Sequence, residues 1–221
     1  MSKKKTIADP SKPLPSELSK EYWETSAKLI LERFFPERFV DLSVDYEKPD
    51  LRNETTGVEV TSAEDRESQE IDSLYSRQYT YGSSKQRKKA LKRIEELGGR
   101  AEKYCLIHPG RSRDLGKIYC AVKIKTKKLN ISYDVFPRNY LFVYDSCLIL
   151  DQELPEILSA ISDSSADYKT KFDSIFLYCF GGDLYEFDLR NNTHTHINDS
   201  SKIVQQLVID ARNLINEKYK G

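Results

Sequence analysis

Residues Lys48 to Ala63 read KPDLRNETTGVEVTSA, and the way this stretch folds decides what kind of protein the chain is. A Pro-Asp turn leads into a polar segment ending at Gly57, and a short apolar strand follows that carries one acid, Glu59, two residues before Thr61. Strand side chains alternate between faces, so Glu59 and Thr61 share one face and Val58 and Val60 the other. The valines suit a core, which leaves the acid facing outward. A hairpin through Asn53 to Gly57 returns Asp50 to Glu59. Two carboxylates converging at a strand end are what a hard divalent cation takes as ligands.

Outward from this stretch, the chain reads as an α/β arrangement. Ser16 caps a helix running to Phe35, with Trp23, Ala27, Ile30 and Phe34 on one apolar face and Pro36 as the stop. Phe39 to Asp45 alternates as a strand, and Val58 to Ser62 is the returning strand of the hairpin. Glu64 to Tyr79 is a polar helix, and Ser84 to Leu97 is a second helix closed by Gly98 and Gly99. Lys117 to Lys125 alternates as a strand, whereas Arg138 to Leu150 is an apolar run of undecided type before a helix at Pro155 to Ser162. Phe172 to Phe180 and Leu184 to Leu189 flank Gly181-Gly182-Asp183 as a hairpin, and Lys202 to Tyr219 closes the chain as an amphipathic helix.

At 221 residues, with 38% hydrophobic and 32% charged residues, the chain can bury a sizeable core. Fourteen tyrosines and nine phenylalanines are too many for disorder. The expected organisation is a mobile arm over residues 1–15 and a single domain over 16–221. No apolar run reaches the ~20 residues of a membrane span, and the first residues lack the apolar core of a secretion signal. The cysteines Cys105, Cys120, Cys147 and Cys179 are scattered without close pairs, as reduced thiols are, which places the protein in the cytoplasm. Cys105 with His108, and His194 with His196, allow a zinc site on paper. A buried cysteine and exposed histidines account for the same residues more simply.

Asp50, a short loop, then a strand reading acid, apolar, polar resembles the active-site core of the PD-(D/E)xK nuclease superfamily. The match is to a diverged branch, with Thr61 standing where the motif has lysine. The likeness spans Lys20 to Lys103 and is centred on Asp50, Glu59 and the glycine before the strand. It implies a restriction-endonuclease-like core: a central mixed sheet flanked by helices, here extended by the C-terminal hairpin and helix. It further implies a metal-dependent nuclease in which Asp50, Glu59 and the carbonyl of Val60 hold Mg²⁺ or Mn²⁺. Glu24 on the first helix is the expected additional acid, with Glu32 and Glu21 as alternatives and a solvated helix acid as the plainer explanation. Thr61 cannot supply a cation, so the missing lysine is sought on the helix after the Glu59 strand. There Lys85, Lys88 or Lys89, and Lys92 recur at helical steps; Lys88 is the first choice and Lys92 the second.

Net charge is zero, yet Ser84 to Lys128 holds fifteen basic residues against four acidic ones, a net +11 that leaves −11 elsewhere. Such asymmetry is the footprint expected of a phosphate-backbone contact, through Lys85, Arg87, Lys89, Arg93, Lys123 and Lys125. Solvated lysine faces that block aggregation are the plainer explanation. Two function classes follow. One is an endonuclease acting on nucleic acid, DNA ahead of RNA, in defence or repair; the other is a non-catalytic binding module on the same scaffold. An unrelated α+β fold in which Asp50 and Glu59 never meet is the third reading. No membrane partner is expected, and a homodimer stays open.

Overall fold

A computed structural model describes residues 16–45, 48–64, 66–80, 83–101, 106–107, 114–145, 149–179, 182–197 and 200–219. In chain order its elements are α1 (Ser19–Phe34), β1 (Ser43–Val44), β2 (Leu51–Arg52), β3 (Thr56–Ser62), α2 (Arg66–Thr80), α3 (Ser84–Glu96), β4 (Arg100–Ala101) and β5 (Leu106–Ile107). These are followed by α4 (Gly116–Leu129), β6 (Arg138–Asp145), α5 (Leu154–Ser164), β7 (Ser174–Cys179), β8 (Leu184–Asp188), β9 (Thr193–Ile197) and α6 (Ser200–Lys218). The fold is α/β, built on a mixed sheet, with the expected hairpin and closing helix. The chain divides into two compact units, one of Trp23–Glu64 with Arg113–Asp210, the other of Met1–Tyr22, Asp65–Ser112 and Ala211–Gly221. The arm expected over residues 1–15 lies outside the described residues. No helix among the described residues is long and apolar enough to cross a membrane.

The larger unit holds a seven-stranded sheet in the order β1-β2-β3-β6-β7-β8-β9. β3, β6 and β7 run parallel to one another, and the remaining pairs are antiparallel. Parallel neighbours require crossover connections, and α5 lies between β6 and β7 in the chain as such a connection. The central strands are covered on both faces, so β6 and β7 read as near-continuous apolar runs. Leu141, Val143, Ile175 and Leu177 point to the face packed by Ile118 and Val122 of α4 and by Ile157 and Ile161 of α5. Phe142, Tyr144, Phe176 and Leu184 point to the face packed by Ala27, Ile30 and Leu31 of α1 and Val204 of α6.

Several boundaries differ from the sequence reading. The strand expected over Phe39 to Asp45 shrinks to β1, because Phe39 and Leu42 are buried as loop residues that plug the α1 face instead of pairing. Lys117 to Lys125, expected as a strand, is the helix α4. Ile118, Val122, Thr126 and Leu129 are its buried positions, and their steps of four, four and three follow the period of a helix. Thr126 returns its hydroxyl to the Val122 carbonyl at 2.9 Å, a helical back-bond. His194 and His196, read as sharing a strand face, lie on β9, an outer strand with exposed threonines.

In the smaller unit, α2 and α3 pack together and Arg93 pairs with Glu70 at 2.9 Å. A capping box starts α3: Gln86 N–H donates to the Ser83 hydroxyl, and Ser83 N–H donates to the Gln86 side chain. Leu18 and Ile215 form a separate small cluster with Tyr22 and Tyr219.

Gly57 is required by close approach. A Cβ there would meet Pro49 Cγ at 2.7 Å and Phe136 Cδ2 at 2.8 Å. Gly57→Ala should therefore lower stability by about 1–3 kcal/mol, measured as a shifted urea midpoint at unchanged slope. An unshifted midpoint would show that the hairpin tolerates the methyl group.

Candidate functional site: a buried carboxylate and ammonium cluster

The NETT segment closes the hairpin because Asn53 Oδ1 accepts from the backbone N–H groups of Thr55 and Thr56 at 3.0 and 2.9 Å. The turn fixes the register, with Leu51 opposite Val58 and Arg52 opposite Gly57. One step further along that ladder, Asp50 comes to Glu59. In the parallel pairing on the other side, Glu59 lies beside Leu141 and Thr61 beside Val143, so both point to the face covered by α4. The acid expected to face outward is instead 1% exposed, because α4 covers the face that the hairpin alone would leave open.

A charge buried this deeply is tolerated only with compensation. Lys125 Nζ of α4 lies 2.5 Å from Glu59 Oε1, Lys48 Nζ 2.9 Å from the same oxygen, and the Tyr133 hydroxyl donates to it at 2.9 Å. Lys48 Nζ also lies 2.6 Å from Asp50 Oδ1, so one ammonium bridges both carboxylates. The second Asp50 oxygen accepts the Val60 backbone N–H at 3.0 Å. Glu59 Oε2, by contrast, is buried and has no hydrogen-bond partner among the described residues. Three donors converge on one oxygen of this carboxylate and none reaches the other.

The electrostatics follow from these contacts. Burial pushes the Asp50 carboxyl up, but the hydrogen bonds from Lys48 and the Val60 amide, the Lys48 charge and a hydrogen bond with Glu24 together hold it below the usual aspartate range. Burial opposes the Lys48 ammonium, yet hydrogen bonds and charge from Asp50 and Glu59 outweigh it and raise its pKa. Burial, followed by the charge and hydrogen bond of Glu59, raises the Tyr133 phenol so that it stays a donor.

The structure brings Asp50 and Glu59 to one ammonium, and Glu24 is buried on α1. Thr61 is on the Glu59 face of β3 and half-buried. Val60, expected through its carbonyl, meets Asp50 through its amide. Lys88 and Lys92 are exposed residues of α3 in the smaller unit, where Lys92 faces Glu96 at 3.8 Å. Lys85, Arg87 and Lys89 are exposed on the same helix, and Arg93 is tied to Glu70 and Glu96. Lys123 is exposed on α4, whereas Lys125, expected as a phosphate contact, turns inward to Glu59.

Lys48 and Tyr133 were not anticipated, and no local pattern marks them. Lys125 had a signal: once α4 is read with a helical period, it falls beside Thr126 on the buried stripe. Of the zinc candidates, Cys105 and His108 lie outside the described residues. His196 stacks on Tyr185 at 4.5 Å and lies 2.8 Å from Asp151. Among the described residues no three or more His, Cys, Asp or Glu side chains form a metal-holding group. The pair with reach for one shared cation is Asp50 and Glu59, as the Lys48 ammonium shows by touching both. No protein-family model, curated protein or solved structure matches this chain.

A depressed Asp50 pKa stabilises the fold above the unfolded value of about 4, and that contribution disappears as pH falls through the folded value. Asp50→Asn should flatten the acid limb of a stability curve taken by denaturant unfolding from neutral pH downward. A limb of undiminished steepness in the variant would assign acid lability to other carboxyls.

Proposed function

We propose that the chain is a divalent-metal-dependent nuclease of the PD-(D/E)xK type that hydrolyses phosphodiester bonds in nucleic acid, DNA ahead of RNA. The observation that carries this reading is the Lys48 ammonium, 2.6 Å from Asp50 and 2.9 Å from Glu59. Both carboxylates of the hairpin reach a single cation, which is the geometric requirement the sequence motif imposes. Element order supports it as well, once α2, α3, β4 and β5 are set aside as an insertion: α1 with its buried Glu24, the antiparallel β1, β2 and β3, then α4 and a β6 parallel to β3.

The donor set fits Mg²⁺ or Mn²⁺. Mg²⁺ retains several waters and needs only one or two carboxylates from the protein, and the orphaned Glu59 Oε2 is an anionic oxygen without a donor. Asp50 and Glu59 would hold the ion, which supplies a Lewis acid that activates water and neutralises charge on the phosphoryl oxygens. The chain's own residues prepare the site. The Val60 amide and Glu24 orient Asp50, and Tyr133 fixes Glu59 through a proton it does not release. Lys125 takes the role of the lysine missing at position 61. Its ammonium has three N–H donors, and the one on Glu59 leaves others for a non-bridging phosphate oxygen. Water then forms the new P–O bond as the scissile P–O bond to the leaving oxygen breaks.

α4 also carries exposed positive charge. Lys123, Lys127 and Lys128 are exposed on the helix that presents Lys125 and form no ion pair among the described residues. A non-catalytic binding module is the second reading, favoured by the absence of lysine at position 61 and by the neutralisation that Lys48 already provides. The two separate in one assay with labelled DNA and RNA in Mg²⁺ and Mn²⁺. Asp50→Ala and Glu59→Ala should abolish cleavage, and Lys125→Met should slow it by about 10²–10³-fold. Binding without cleavage in the parent would leave the module; cleavage indifferent to all three substitutions would remove the nuclease site as drawn here. Replacing Lys127 or Lys128 by Ala should reduce the slope of log affinity against log salt by about 1 each, if each contacts a phosphate.

A further inference from the structure

We infer that Lys48 is a built-in competitor for the divalent cation, an ammonium that occupies the shared carboxylate position and must leave it before metal enters. The inference rests on the metal-dependent reading above and deepens it. Two lysines reach the site, but they are held differently. Lys125 touches Glu59 alone, its side chain is 14% exposed, and it is anchored in the second half of a fourteen-residue helix. Lys48 touches both carboxylates, its side chain is 36% exposed, and it precedes β2 in a segment of bends without regular structure. The residue that sits between the two carboxylates is therefore also the one whose side chain is more open to solvent.

Charge balance points the same way. An ammonium between Asp50 and Glu59 offsets carboxylate charge and so weakens the attraction that these two acids offer a divalent cation. Withdrawal of Lys48 makes the pair more negative while Lys125 stays on Glu59. The ammonium and the metal are thus alternative occupants, and apparent metal affinity is reduced by the fraction of time the site is free of Lys48. Tyr133, whose ring centroid is 5.8 Å from Lys48 Nζ, gives the ammonium a cation–π contact in this same position.

The test measures Mn²⁺ binding by electron paramagnetic resonance, without substrate, on the full chain, Lys48→Met and Lys125→Met. If Lys48 occupies the site about nine-tenths of the time, Lys48→Met should bind Mn²⁺ about tenfold more tightly. Lys125→Met should gain clearly less. Equal gains in the two variants would be a simple charge effect and would overturn the inference, as would an unchanged or weaker affinity in Lys48→Met. No Mn²⁺ binding by any of the three proteins would instead remove the metal-dependent reading, and the inference with it. A second measurement on the parent protein does not depend on the variants folding. Acylation of lysines followed by mass spectrometry should find Lys48 more reactive in Mn²⁺ and Lys125 unchanged; a Lys48 reactivity indifferent to Mn²⁺ in a protein that binds the ion overturns displacement.

Discussion

A single carboxylate organises the larger unit. Glu59 lies on a strand hydrogen-bonded on both sides and covered by a helix, where an uncompensated charge would cost several kcal/mol. Compensation arrives from three separate parts of the chain: Lys48 before β2, Lys125 on α4 and Tyr133 in the connection to β6. The position of α4 over β3, the path of the chain into the hairpin and the course of the connection after α4 are all constrained by having to deliver these donors to one oxygen. Hydrophobic packing alone would fix the layers but not this alignment.

The same arrangement is poor value as a stability device. Apolar groups of similar volume at these positions would remove the desolvation cost altogether, and buried ion clusters are on that ground weak evidence of a stabilising role. Ionisable groups gathered by burial and mutual charge at a strand end form a candidate site on physical grounds, and structural ion networks perturb titration in the same way. The asymmetry within Glu59, with one oxygen saturated and the other bare, is the kind of incompleteness a ligand resolves.

The acids were legible in the sequence because their spacing is local. Nine positions, a turn-forming Asn53 and a glycine before an apolar strand suffice to bring Asp50 and Glu59 together, and Gly57 is needed there for close packing against Pro49 and Phe136. Glu24 was named only through the family resemblance, with Glu32 and Glu21 as alternatives. The cations were not. Lys125 was hidden because a short alternating run was taken for a strand, and a period of two assigns it to a surface that a period near 3.6 turns inward. Lys48 and Tyr133 reach Glu59 across separations that no periodicity encodes, and only the assembled sheet shows them. The basic segment, continuous in sequence, is divided by the fold between α3 in the smaller unit and α4 in the larger.

Sixty-six residues separate Glu59 from the ammonium of Lys125, and the chain between them includes the whole of α2 and α3. Closing so long a loop costs configurational entropy that local contacts do not return, and parallel pairing of β3 with β6 waits on the same event. During synthesis, a nascent chain that has emerged only as far as α3 carries both acids without the helix that covers and neutralises them. Completion of the site is thereby coupled to completion of the sheet, which makes any chemistry it performs a property of the finished larger unit and not of the hairpin that supplies its acids.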